Sequence, residues 1–140
     1  MPVYLTNPDL EFADKHVHPR LSGQMPFIKS LDMIMREVHG SALEYHTFGK
    51  PAKATFDYAL EVLSQQAAER DIAITNTYMI GDNPMGDIVG ANRAGIRSIL
   101  VRSGIYTADK KHMLKGDAMP SFEVANMEEA VKLIMQLEGL

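Results

Sequence analysis

Cysteine is missing from this chain of 140 residues. Its absence rules out disulfides, a thiolate nucleophile and Cys-ligated zinc, and it leaves the cellular compartment open. Excess positive charge is missing too. Fourteen Lys and Arg stand against 18 Asp and Glu, for a formal net charge of −4 and a pI of about 5.7. That balance provides no basic footprint for nucleic acid or an anionic membrane. No apolar run approaches the roughly 18 residues that a membrane span needs, and the first residues lack the basic and apolar regions of a signal peptide. Internal repeats and low-complexity segments are also absent. What is present is the composition of an ordinary soluble globular protein, 46% hydrophobic and 23% charged, at a single-domain length sufficient for one core.

The most informative stretch is Met79-Ile80-Gly81-Asp82-Asn83-Pro84-Met85-Gly86-Asp87. Thr77 to Ile80 reads as a buried parallel strand, which places Asp82 at its carboxyl end. Asn83 can cap the helix that follows, and Pro84 suits that helix's first position. Asp87 then falls in the first turn, so a strand end and a helix start direct two carboxylates to one spot. Such a spot suits Mg²⁺, a hard cation usually held by one or two carboxylates, waters and a substrate phosphate. The plainer reading is also available, because an Asp in a first helical turn complements the helix dipole.

Towards the N-terminus, Val3-Tyr4-Leu5 is a short strand closed by the turn-rich Thr6-Asn7-Pro8-Asp9. Residues 14–26 read as loop. His16 and His18 within it could ligate a metal, although a pair of solvated side chains is the simpler account. Phe27, Ile28, Leu31, Ile34, Met35 and Val38 recur at helical spacing and predict a helix ending near Gly40. Leu43 to Phe48 reads as a strand. Gly49-Lys50-Pro51 follows, with Gly49 turning the chain, Pro51 at the first position of a second helix and Lys50 left at a strand end. Helical spacing then runs through Phe56, Ala59, Leu60, Leu63 and Ala67.

Two successive strand-loop-helix units thus end one strand on a cation and the next on two anions. Crossover connections would place both loops on one edge of a parallel sheet, where open α/β folds bind ligands. Gly95 is expected as a left-handed helix end, Arg97 to Val101 as a third strand, and Ser103-Gly104 at its carboxyl end. Residues 107–118 read as a solvated loop and Phe122 to Val124 as a strand. A final helix, Met127 to Leu137, is capped by Asn126 and followed by Gly139.

With Gly49-Lys50-Pro51, Gly81-Asp82-Asn83-Pro84 to Asp87, Gly90-Ala91-Asn92 and Ser103-Gly104-Ile105-Tyr106 in place, the chain resembles the haloacid dehalogenase (HAD) superfamily of phosphohydrolases. Within it, the chain looks like the subclass whose cap is inserted between the second and third motifs. Arg20 to Gln24, Tyr45 to Lys53 and Gly81 to Asp87 read like the branch named after the cat eye syndrome critical region. The resemblance implies an α/β fold: part of a HAD-like, Rossmann-type parallel sheet with flanking helices, preceded by a remnant of the cap. It places the cap remnant at residues 1–42 and the C-terminal half of the core at 43–140. Lys50 would neutralise the nucleophile and phosphoryl oxygens. Asp82 would bind Mg²⁺ directly, and Asp87 directly or through water. Asn83 and Ser103 are the expected substrate contacts, and the substrate would be a small phosphorylated metabolite.

One feature of the family pattern is missing. HAD enzymes attack phosphate with an aspartate in an Asp-x-Asp motif at a strand end, and no such motif follows an apolar strand here. Asp9 with Glu11 is the nearest imitation, but Pro8 breaks the strand before it. Thr6 is a poor second motif, because the cap would then be far too short. The expectation is therefore a C-terminal half that lacks its nucleophile strand and is inactive alone. The alternative is a truncated or diverged protein that binds Mg²⁺ or a partner without turnover. An unpaired sheet edge would favour self-association or pairing with the missing half. A phospho-receiver module shares the acidic site and the lysine, but its lysine follows the phosphorylated aspartate, whereas Lys50 precedes Asp82. A soluble intracellular protein is expected, with a mitochondrial location implied only through the resemblance.

Overall fold

A computed structural model describes residues 2–14 and 20–140. His16 and His18, weighed above as metal ligands, lie outside the described residues. The fold is α/β with parallel sheets. Strand β1 (Tyr4–Leu5) leads to helix α1 (Gln24–His39), strand β2 (His46–Thr47) and helix α2 (Lys53–Ala68). Strand β3 (Tyr78–Gly81) is followed by a π-helical turn, Pro84–Ile88, that runs into the short helix α3 (Val89–Arg93). Strand β4 (Arg97–Val101), two 3-10 segments (Ala108–Met113 and Gly116–Ala118), strand β5 (Phe122–Val124) and helix α4 (Met127–Glu138) complete the order.

The main sheet runs β3-β4-β5, all parallel, with Ile80 beside Ile99 and Val101 beside Val124. Alternation along β4 divides the core. Ile99 and Val101 face α4, packing with Ala130, Leu133 and Ile134. Leu100 points to the opposite face, against Ile88 and Tyr106. A strand covered on both faces needs an unbroken apolar run, and Ile99-Leu100-Val101 supplies one. Each of those side chains contributes about 1.5–3 kcal/mol of burial.

Helix ends follow the local signals. Asn126 accepts a hydrogen bond from the Glu129 N–H at the start of α4. Gly95 adopts φ 71°, a left-handed conformation that carries a steric cost for residues with a Cβ.

Four expectations are corrected. The strand after α1 does not join the sheet of β3: β2 pairs in parallel with β1, Tyr4 beside His46 and Leu5 beside Thr47, in a separate two-stranded sheet. Pro51 does not open α2, which begins at Lys53 after a turn closed by the Ala52 N–H donating to the Gly49 carbonyl. Strand β3 is half-buried rather than buried, having only β4 as its neighbour among the described residues. Residues 107–118 are not a free loop. Ala118 is buried at 3% exposure, and the Asn92 side-chain amide donates to the carbonyls of Asp117 and Met119 at 2.7 Å each. Arg93 adds an ion pair to Asp117, so groups distant in sequence order a segment whose own composition is polar.

Candidate functional site

The loop after β3 is built by hydrogen bonds to Asn83. Its side-chain oxygen accepts from the Met85 and Gly86 N–H groups at 3.0 and 3.3 Å, which caps the turn as the sequence led one to expect. The turn is π-helical, with the Ile88 N–H donating to the Asn83 carbonyl at 3.4 Å; the Asp87 N–H donates to the same carbonyl, and Asp87 Oδ2 accepts from the Asn83 N–H at 3.0 Å. That reciprocal pair folds the Asp87 side chain inward, to 2% exposure. A buried carboxylate must be paired to be tolerated. Lys50 is the partner, its Nζ 2.5 Å from Asp87 Oδ1.

Lys50 and Asp87 thus meet although their strands belong to different sheets. Partial burial draws the Lys50 ammonium toward neutrality, but the hydrogen bond and charge of Asp87, with the charges of Asp9 and Asp82, outweigh it. Its pKa is accordingly raised above the ordinary lysine value of 10.5. The ammonium stands among three carboxylates, and the cluster carries excess negative charge.

Asp82 sits at the carboxyl end of β3. Its Oδ2 accepts from the Ile105 N–H at 2.7 Å, and its own carbonyl accepts from the Tyr106 N–H at 2.9 Å. Among the described residues no hydrogen bond reaches Asp82 Oδ1. Two glycines make this close packing feasible. A Cβ on Gly81 would stand 2.3 Å from the Asp87 carboxyl, and one on Gly104 would stand 1.9 Å from Asp82 Oδ2. Ser103 lies exposed in the turn after β4 and does not line the cleft described below; Gly104 and Ile105 bring that loop to Asp82 instead.

Asp9 also enters the site. Its Oδ1 accepts from Asn83 Nδ2 at 2.8 Å, so Asn83 holds the helical turn with one end of its amide and the N-terminal segment with the other. The sequence signals this position weakly, because Pro8 hides it from any strand-end pattern. Only the Asn7 side chain, which accepts from the Asp9 N–H at 3.0 Å, marks a local turn there.

A cleft of about 500 Å³ opens between residues 8–11, 50–51, 83–86 and 105–113. Lys50, Asn83 and Asp9 line its inner part, and Leu10, Met85 and Met113 contribute apolar surface. Lys110, another lining residue, donates to the Ile105 carbonyl at 2.9 Å and faces Glu11 at 3.5 Å. Among the described residues no group of three or more Asp, Glu or His side chains is arranged to hold a metal ion. The oxygen donors and excess negative charge around Lys50 nonetheless fit Mg²⁺, which takes one or two carboxylates and keeps several waters. Of the described helices, none is long and apolar enough to cross a membrane.

Fold and site together define an α/β protein with an acidic, lysine-paired site at its strand ends. A protein-family model described as HAD-hydrolase-like matches residues 47–130, more than half of the chain. The chain belongs to this HAD-hydrolase-like family. It is similar to a cardiolipin synthase (CMP-forming) / mitochondrial hydrolase fusion protein of Schizosaccharomyces pombe, 35% identical over 133 residues that cover 92% of this chain and 20% of that protein. A phospholysine phosphohistidine inorganic pyrophosphate phosphatase of Bos taurus is 32% identical over 113 residues, covering 79% of this chain and 36% of that one. Among solved structures, a glycerol phosphate phosphatase of Mycobacterium tuberculosis in complex with magnesium superposes with a TM-score of 0.60 at 22% identity. That match covers 90% of this chain and 33% of the other, and it shows the shared fold. The chain spans well under half the length of each of these relatives.

Proposed function

We propose that this chain carries the magnesium- and phosphate-binding half of a HAD-type phosphatase site for a small phosphorylated metabolite, and does not hydrolyse phosphate by itself. The observation that carries this reading is the Lys50–Asp87 pair, a 2.5 Å contact on a carboxylate of 2% exposure, joined across two separate strand-loop-helix units. Asp82 Oδ1 is the ligand atom for Mg²⁺. Asp87, with both oxygens already engaged, acts through water and by holding Lys50 in place. When bound, Mg²⁺ would supply charge stabilisation for a phosphoryl group. Lys50 would offset charge on the phosphoryl oxygens, and Asn83 would orient the loop beneath them. In this reading residues 1–42 derive from a cap and residues 43–140 from the core.

Turnover requires a nucleophile that forms and releases a phosphoryl-enzyme bond. Among the described residues Asp9 and Glu11 are the carboxylates lining the cleft, but Asp9 Oδ1 is tied to Asn83 and Glu11 faces Lys110. The expected result is therefore no Mg²⁺-dependent release of 4-nitrophenol from 4-nitrophenyl phosphate, together with Mg²⁺ binding by calorimetry that Asp82→Asn removes. Mg²⁺-dependent turnover abolished by Asp9→Asn would overturn the assignment of a missing nucleophile. Failure of the folded chain to bind Mg²⁺ would favour the second reading, a diverged partner-binding protein. That reading is supported by the free edge of β3, which β4 covers on one side only among the described residues.

A further inference from the structure

The cleft changes character along its walls. Its inner part leads through Lys50 to the buried Asp87, and Asp9, Asp82 and Asp87 all act on the Lys50 charge. Toward solvent, the lining includes Leu10 at 48% exposure and Met85 at 53%, and the half-buried Met113 of the 3-10 segment also lines the cleft. These three apolar side chains come from three separate segments, each tied down by a hydrogen bond. Asn83 caps the Met85 N–H. The Leu10 carbonyl accepts from the Ser22 N–H at 2.8 Å, and Lys110 fastens the Met113 segment to the Ile105 carbonyl.

The charged groups on this outer part are already matched. Glu11 faces Lys110, leaving His112 as the remaining polar side chain beside the methionines. Hydroxyls of a sugar placed there would meet thioethers and lose hydrogen bonds made in water. A flat apolar group would gain burial and sulfur–aromatic contact. At about 500 Å³ the space suits one small molecule.

We infer that the cleft selects a phosphate monoester whose alcohol carries a compact apolar body, with Leu10, Met85 and Met113 as the specificity-determining residues. This rests on the reading that Lys50 and Asp82 hold the phosphate end with Mg²⁺. The inner cluster of carboxylates would repel an anion arriving without a cation, so the phosphate comes with the metal and the outer wall judges what is attached to it.

The test uses the full chain labelled with ¹³C at its methionine methyl groups, in saturating Mg²⁺. It is titrated with phenylphosphonate, methylphosphonate and inorganic phosphate. Phenylphosphonate is expected to shift the Met85 and Met113 methyl signals and to bind about tenfold more tightly than methylphosphonate. Met85→Gln and Met113→Gln, each shown to be folded by circular dichroism, should reduce that preference to near unity, and an unchanged preference in both would overturn the inference. Equal affinity for the two phosphonates, or phosphate binding with unmoved methionine signals on phenylphosphonate, would overturn the inference and leave the metal and phosphate site standing. No binding of any of the three anions would overturn both together.

Discussion

The two halves of the chain use the same parallel strand and helix units, yet they bury them to different depths. In the C-terminal half, β4 is sandwiched between α4 and the Ile88–Tyr106 layer, with Ile99, Leu100 and Ala130 all at 0% exposure. The N-terminal half pairs two residues of β1 with two of β2 and contributes Leu5, Ile28 and Phe56 to the core. Its helix α1 leaves Phe27, Met33 and Val38 about two-thirds exposed. One half therefore works as scaffold, and the other is held to it by hydrogen bonds, by the Lys50–Asp87 and Lys110–Glu11 ion pairs and by Phe56 packed against Gly90. The site forms where they meet: Lys50 and Asp9 come from the lightly built side, and Asp82, Asn83 and Asp87 from the well-packed side.

The largest expected effect separates the halves directly. Leu100→Ala should destabilise the chain by about 4 kcal/mol, because its surroundings are packed on all sides and cannot collapse into the space. Leu5→Ala should cost about 2 kcal/mol, since the two-stranded sheet around it can relax. Urea denaturation of both variants checks this, and equal losses would mean that the N-terminal half is as tightly packed as the other.

The next effect concerns the join. Lys50→Met leaves the buried Asp87 carboxylate without its cation and should cost about 2 kcal/mol at pH 7, less than a fully buried pair because Lys50 is partly exposed. The folded protein holds the Lys50 proton more tightly than the unfolded chain does. The pair's contribution is thus complete below the ordinary lysine value of 10.5 and is lost as pH rises through the higher folded value. Stability curves of the parent and Lys50→Met should converge at the alkaline end, and a gap that persists there would assign the loss to packing instead of charge.

Smallest of all should be Val38→Gln on the outer face of α1, within about 0.5 kcal/mol. A loss above about 1 kcal/mol that grows with protein concentration would show that a second copy covers this face, as linkage to association requires.

Legibility in the sequence follows the same division. The carboxyl end of β3, the Asn83 cap, Pro84, the Gly95 turn and the Asn126-capped α4 were readable because their causes lie within four residues of each other. Residues 107–118 are largely exposed, as the sequence suggests, but their ordering is not legible there because what orders them, Asn92 and Arg93, sits on another element. The separate sheet of β1 and β2 was equally hidden, since no local pattern tells a two-residue strand which neighbour it will take. The sequence marks Lys50 at a strand end and Asp87 in a first helical turn, whereas their contact depends on the packing of two units. Asp9 stayed in the background because its partner, Asn83, lies 74 residues away.

The glycines at 81 and 104 also bear on how such a site can change over time. Each occupies a position where even one added carbon would collide with a site carboxylate, Asp87 for Gly81 and Asp82 for Gly104. The inner end of the cleft is consequently closed to gradual alteration, since every substitution at these two positions begins with a clash. Leu10 and Met85, partly open to solvent, carry no such restriction and can be exchanged in small steps. The architecture separates a sterically constrained inner end, where the carboxylates sit, from an outer wall whose side chains are open to substitution.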